Sequence, residues 1–350
     1  MKPVRIGSER SGFVRIGPGE KCAVMAEVGI NHDGSLERAL KIIGLAAGAG
    51  ADLVKFQYLD PDAMVNRKEL PEVYEIYRKY SLGPEEMDSI SRACREAGTP
   101  FVCTVFDLEG AARMFEIGVS AFKVASCDMT HLQLIRGLGQ FGLPVILSTG
   151  LADIAEVAAS VRAAKRGGCR TPILLHCVSA YPAPEDQLNL RVIETMQRRF
   201  RLPLGFSDHT AGTLAASIAA GLGAALVEKH FTYDPKAAGP DHSISLGPED
   251  FRTMVHDIRR AEVMRGHGRK VPALVEREER RVGRRGYYLL RNVKKGEKVS
   301  TCDLAALKPW TEIGPQQMNS LRGARYARDL VAGAGLNLQD ILFPGKNQPQ

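Results

Sequence analysis

From Cys22 to about His267 the chain alternates short apolar runs with longer amphipathic stretches. The runs Ala23–Ile30, Ala51–Gln57, Pro100–Phe106, Ala121–Ser126, Pro144–Thr149, Pro172–Cys177, Pro203–Ser207 and Ala224–His230 have the length and apolar continuity of buried parallel strands. The stretches between them read as helices. In Leu36–Gly48, for example, Leu36, Leu40, Ile43 and Ala47 are predicted to share the buried face. Gly50, Gly98 and Gly223 each stand where a helix should stop before the next strand. Eight such units in about 250 residues predict a (β/α)8 TIM-type barrel. The competing open doubly wound sheet rarely reaches eight units and usually opens on a glycine-rich turn.

The flanks differ. Val4–Gly7 and Val14–Gly17 repeat VRIG around a polar turn with Ser8 and Ser11, which predicts an N-terminal hairpin. Beyond Arg269 the segment Lys270–Arg281 is charged and interrupted by Pro272, as a linker or linking helix would be. Gly286–Asn292, the turn at Lys294–Glu297, Val299–Leu307 and Gly314-Pro315 then predict a small β-rich module. The expected organisation is a barrel with hairpin over 1–268, a linker over 269–283 and the module over 284–345.

Polar residues are not scattered along the apolar runs but gather at their carboxyl ends. There stand Glu27, Lys55, Thr104, Lys123 with Ser126, Ser148, His176, Ser207 with His209, and Glu228 with His230. In a barrel of this type those ends converge on one mouth, where catalytic groups sit. Lys55 and Lys123, with the hydroxyls of Thr104, Ser126, Ser148 and Ser207, could hold an anion carrying a phosphate and a carboxylate. His209 and His230 end consecutive strands, flanked by Asp208, Glu228 and Asp241. Neutral imidazoles suit a divalent manganese, iron, cobalt or zinc ion that could polarise a carbonyl. His176, beside Cys177 and Val178, reads as a packing or orienting residue.

Bulk composition narrows the class. Hydrophobic residues at 44% and charged residues at 25% suit a globular protein. The net charge of +7 could suggest nucleic acid, but aromatics are 6% and no nucleic-acid motif accompanies the basic cluster Arg277–Lys298. No polynucleotide partner is expected. Met1–Arg10 lacks the apolar run of a secretory signal, and no stretch approaches the roughly 20 apolar residues of a membrane helix. Seven scattered cysteines without a CxxC pair fit reduced thiols, so a cytoplasmic setting is expected.

Several segments carry a resemblance. AEVGINHDGSLERAL (Ala26–Leu40), GADLVKFQ (Gly50–Gln57), TPFVCTVFD (Thr99–Asp107), FKVASCD (Phe122–Asp128), PVILSTGLA (Pro144–Ala152), CVSAYPAP (Cys177–Pro184), GFSDHTAG (Gly205–Gly212) and EKHFTYDPKAAGPDHSISL (Glu228–Leu246) resemble, in order, the N-acetylneuraminate (sialic acid) synthase family. The C-terminal module resembles the antifreeze-like (SAF) domain that follows the barrel there. The resemblance implies condensation of phosphoenolpyruvate with an N-acylated amino-sugar aldehyde of N-acetylmannosamine type, giving a nine-carbon sugar acid and phosphate. It implies that Lys55, Thr104, Lys123, Ser126, Ser148 and Ser207 bind phosphoenolpyruvate, and that His209 and His230 ligate a divalent metal, manganese by preference over magnesium or cobalt. Glu27, Asp128 and Asp241 become the catalytic carboxylates, their order open, while Tyr181, Ser179 and Lys308 face the sugar. It also implies a domain-swapped homodimer.

Four departures bear on the acceptor. Val105 replaces a proline in the family's TPFD, and Cys127-Asp128 replace Gly-Glu. Ser179 stands where many neuraminate-forming members carry asparagine, and Lys308 precedes Pro309 where an arginine is common. Lysine lacks the planar fork of arginine, so recognition of an acyl group there should differ. A legionaminate- or pseudaminate-type synthase is therefore the alternative, with Gly29 favouring the neuraminate or legionaminate side. A non-catalytic carbohydrate-binding barrel is the remaining rival.

Overall fold

Residues 4–16 fold back on themselves as β1 (Val4–Ser8) and β2 (Gly12–Ile16), an antiparallel hairpin whose Ser8 and Ser11 hydroxyls meet at 3.0 Å in the turn. The structure is a computed structural model that describes residues 2–344 and divides into two units, Met1–His267 and Gly268–Gln350. The expected limits Met1 and Gly345 lie outside the described residues.

In the first unit the eight apolar runs form β3 (Ala23–Gly29), β4 (Leu53–Gln57), β5 (Phe101–Thr104), β6 (Ala121–Val124), β7 (Val145–Ser148), β8 (Ile173–Cys177), β9 (Leu204–Asp208) and β10 (Leu226–His230). All pair in parallel and close in the order β10-β3-β4-β5-β6-β7-β8-β9, a TIM-type barrel with surrounding helices. Pro100, Pro144, Pro172 and Pro203 each stop one residue short of a strand, because proline has no N–H to give the ladder.

Strand side chains alternate between two environments. Outward residues such as Val54, Phe56, Phe122 and Phe206 belong to the core beneath the helices. Inward residues at the strands' amino ends, among them Met25, Leu53, Val102, Ile146 and Leu226, form a separate apolar layer. Ile6 and Ile16 of the hairpin are wholly buried in that layer, so the hairpin plugs the amino end of the barrel.

One helix presents a different face from that expected. In Leu36–Gly48 the buried stripe is Ala39, Ile42, Ile43 and Ala46, while Leu40 is 37% exposed. Only Ile43 belongs to both sets. Small alanines let the helix approach the sheet closely, and Leu36 and Leu40 fall on its margin. Ser35 caps its start, accepting from the Arg38 amide at 3.3 Å.

In the second unit the charged stretch holds a turn at Leu274–Glu276 and a short exposed helix, Arg277–Gly283. Two antiparallel pairs follow, β11 (Gly286–Leu289) with β12 (Leu304–Leu307) and β13 (Arg325–Tyr326) with β14 (Ile341–Leu342). Their own core includes Tyr287, Leu289, Ile313, Tyr326 and Leu336. Lys308 directly follows β12. No described helix is long and apolar enough to cross a membrane, and all seven cysteines are free.

The plug is testable. Ile16→Ala should leave a cavity and destabilise the barrel by about 2–5 kcal/mol, read as a lowered midpoint in urea unfolding.

Candidate active site

Above the apolar layer each barrel strand turns a polar or thiol side chain inward near its carboxyl end. Glu27, Lys55, Thr104, Lys123, Ser148, Cys177, Ser207 and Glu228 all line one cavity of about 660 Å³ at the carboxyl ends of the strands. Strand register makes several of them neighbours: Glu27 pairs with Lys55, Thr104 with Lys123, and Ser207 with Glu228. Closure of the barrel adds His230 opposite Glu27.

The charged members form one buried network. Lys55 Nζ lies 3.1 Å from Glu27 Oε2 and 3.6 Å from Glu228 Oε1, and donates to Thr104 Oγ1 at 3.1 Å. Lys123 Nζ lies 3.4 Å from Glu228 Oε2. Gln57 Nε2 donates to Glu27 Oε1 at 2.6 Å, and Ser207 Oγ to Glu228 Oε1 at 2.7 Å. The two carboxyls are pushed apart. Burial raises the pKa of Glu27 despite Lys55, whereas at Glu228 the opposing burial is outweighed by Lys123 and Lys55, which hold it low. The lysines divide likewise: Glu228 and Glu27 overcome burial and raise Lys55, while burial lowers Lys123. Pairs separated in this way are suited to distinct proton roles.

Beside the lysines lies a group of hydroxyls. Gly150 N donates to Ser126 Oγ at 3.1 Å, and the buried Ser148 and Ser179 hydroxyls have no protein partner. A Cβ on Gly150 would fall 2.3 Å from Ser179 Oγ and 2.7 Å from Ser126 Oγ, so glycine lets the chain pass through this cluster. Buried hydroxyls without partners beside two ammonium groups make a cradle for anionic oxygens.

The imidazoles stand next to it. His209 and His230 have ring centroids 5.6 Å apart, and Tyr181 stacks on His209 at 4.2 Å and meets His230 edge-on at 5.9 Å. Burial lowers both pKa values, His209 to about 3, so both rings are neutral and able to ligate. His209 Nδ1 donates to Val178 O at 3.0 Å, which leaves Nε2 without a proton and 3.5 Å from Ser207 Oγ, and buried His230 Nδ1 has no hydrogen-bond partner. Asp241 Oδ2 is 3.8 Å from His230 Nδ1. This donor set fits a divalent cation. Among the described residues no cluster of three His, Cys, Asp or Glu groups surrounds such an ion, so two imidazoles would leave most positions open.

Asp241 reaches this place because the loop after β10 is tied to the loop after β3. Asn31 Nδ2 donates to Phe231 O at 2.9 Å and Ser245 Oγ at 2.8 Å, and Ser245 Oγ donates to Asp241 O at 2.5 Å. Wholly buried His242 bridges Asp33 Oδ1 at 3.0 Å and Thr232 Oγ1 at 2.6 Å. Gly29 adopts φ +55°, and a Cβ there would lie 2.8 Å from Asp241 Oδ2. Glycine is required on both counts.

The structure thus brings Glu27, Lys55, Thr104, Lys123, Ser126, Ser148, Ser179, Tyr181, Ser207, His209, His230 and Asp241 to one cavity. Asp128 is not on its wall: the short turn Ser126–Asp128 puts Cys127 there and leaves Asp128 half-buried, 4.0 Å from His131. Lys308 belongs to the second unit. His176 is buried with its Nε2 donating to Leu188 O at 2.7 Å. Sequence reasoning put Glu228 at a strand end and left it without a role, and passed over Gln57. Both lie an even number of residues from an inward neighbour, Glu228 two before His230 and Gln57 two after Lys55, which was the available signal.

A model of the NeuB family matches residues 42–270. The chain is 35% identical over 354 residues to the N,N'-diacetyllegionaminic acid synthase of Legionella pneumophila, covering 96% of this chain and 99% of that one. It is 30% identical over 334 residues to a pseudaminic acid synthase of Campylobacter jejuni, covering 92% and 97%. Among solved structures it superposes on the N-acetylneuraminic acid (sialic acid) synthetase of Leptospira borgpetersenii, in complex with citrate, with a TM-score of 0.72 and 32% identity over 79% of this chain and 95% of that one.

The ion network sets its own test. Glu228→Gln keeps the shape but strips Lys123 of its paired carboxylate, and should cost about 3–5 kcal/mol in urea unfolding.

Proposed function

The chain belongs to the NeuB family, and from that premise we propose that it is a sugar-acid synthase that condenses phosphoenolpyruvate with an N-acylated amino-sugar aldehyde of N-acetylmannosamine type, releasing phosphate. The observation that carries this reading is the shared cavity: two buried lysines among unpartnered hydroxyls directly beside two neutral imidazoles. An anionic three-carbon donor and a carbonyl acceptor need those two environments side by side.

Lys55 and Lys123 balance the phosphate and carboxylate of the donor, with Thr104, Ser126, Ser148 and Ser207 supplying hydrogen bonds. This fixes the enol carbon toward the acceptor and keeps bulk water out. A divalent cation held by His209 and His230, manganese in this reading, would supply Lewis-acid polarisation of the aldehyde. The enol carbon attacks the aldehyde carbon, the aldehyde oxygen takes a proton, and water adds at the second carbon of the donor. That water gives up its proton to a carboxylate, and the carbon–oxygen bond to phosphate then breaks. Glu27, with its raised pKa and its contact to Lys55, is the carboxyl best fitted to exchange a proton. Asp241 and Tyr181, at the imidazoles, are placed to orient the sugar, and Ser179 to meet it. Lys308 of the SAF-like second unit would meet the sugar in a domain-swapped homodimer, and the enzyme would work in the cytoplasm.

A second acceptor is favoured by one observation, the 35% identity to a legionaminic acid synthase over nearly the whole chain. On that reading the sugar is a diacetylated bacterial amino-sugar, and Ser179 in place of asparagine reflects it. Phosphate release from phosphoenolpyruvate with a panel of N-acetylmannosamine and diacetamido sugars separates the two. Activity should vanish on chelation, return with manganese, and fall at least about a hundredfold in Lys123→Met and His230→Ala. Undiminished turnover in either variant would exclude this assignment.

A further inference from the structure

Behind the cavity wall lies an ion pair that the proposed chemistry does not use. Asp208 and Lys229 are register partners on β9 and β10, and each immediately precedes an imidazole, His209 or His230. Alternation turns them away from the cavity, and neither side chain has exposed surface. Lys229 Nζ sits 2.9 Å from Asp208 Oδ2 and donates to Thr210 O at 2.7 Å, with Thr210 Oγ1 at 3.4 Å. Asp208 Oδ1 accepts from Thr210 N at 2.8 Å and from Thr210 Oγ1 at 2.7 Å. One ammonium group on β10 therefore grips the residues on both sides of His209, while its own backbone leads directly into His230.

This arrangement is expensive if stability were its only yield. An apolar pair of similar volume usually does as well or better in such a place, because two charges need not be stripped of water. The outer face of these strands is otherwise apolar, with Phe206, Val227 and Phe231 wholly buried nearby in the chain. What the charges add is geometry. The turn 208–210 is closed on itself by Asp208 and pinned to the next strand by Lys229, and the residue enclosed is His209.

We infer that Asp208, Thr210 and Lys229 form a positioning bracket that fixes the backbone of His209 against that of His230, and so sets the ring separation at which both imidazoles face one divalent cation. The inference rests on the metal reading above and extends it to three residues that touch neither substrate nor ion. Groups that hold metal ligands from behind typically matter by about 10–100-fold in affinity.

The test is manganese binding to the full-length protein, followed by electron paramagnetic resonance of the free ion, with thermal melting recorded in parallel. Asp208→Leu combined with Lys229→Met removes both charges together and leaves neither buried unpaired. It should melt near the wild-type temperature without metal yet bind manganese about 10–100-fold more weakly. Thr210→Val keeps the ion pair and loses only the hydroxyl, and should weaken binding by a smaller factor. If the double variant does not fold, the Thr210→Val titration decides alone. Wild-type affinity in either folded variant would overturn the bracket while leaving the metal reading intact. Failure of the wild-type protein to bind manganese above the level of His209→Ala would overturn both.

Discussion

Everything at the mouth depends on keeping two ammonium groups and two carboxyl groups inside a protein barrel. An ion of either kind loses several kcal/mol of hydration on burial, and attraction to a partner offsets this only when distances and remaining hydrogen bonds are good. Here Lys55 has Glu27, Glu228 and Thr104, and Glu228 has Ser207 and both lysines. Glu27 is the carboxyl whose pKa burial raises despite Lys55. When it carries a proton the cluster holds one net positive charge, and an arriving anion completes the neutralisation that the protein leaves unfinished.

Such a cluster is possible only because the strand register is closed. Each lysine and glutamate occupies the same inward level as its neighbours, and a shift of one residue on any strand would send its charge into the apolar helix layer. The hairpin contributes from below, since Ile6 and Ile16 fill the barrel's amino end, while the cavity opens at the polar level. The β3 and β10 loops contribute from above, tied through Asn31, Ser245, Asp33 and His242 so that Asp241 is carried to His230.

Much of this was legible along the chain, and the reasons differ by element. Strands were readable because apolar runs of the right length end in polar residues, and four of the eight begin just after a proline. The barrel followed from their number. The face of helix Leu36–Gly48 was not readable from hydrophobicity alone. Leucine outranks alanine in apolar character, but tight packing against a sheet selects the smaller residue, so Ala39 and Ala46 are buried and Leu40 is not. Within the cavity, residue types announced an anion cradle and an imidazole pair. The partner of each lysine did not show, because Glu228 meets Lys55 and Lys123 across the barrel, and no local pattern encodes a contact that exists only on closure. The place of Asp128 was hidden for a related reason: its neighbour Cys127 lines the cavity, and a tight turn gives adjacent residues different directions.

The division between the two faces of β9 and β10 shows how one stretch of sequence serves two ends. In Ser207-Asp208-His209 and Glu228-Lys229-His230 the inward residues meet ligand space and the outward ones meet each other. An outward valine and leucine would fill the same volume and would hold the strands together equally well through the ladder. They could not, however, reach around a turn to the carbonyl of Thr210, since only a long donor does that. The side of these strands facing away from the cavity is therefore constrained by direction and hydrogen-bonding capacity, which explains why charge persists there at all.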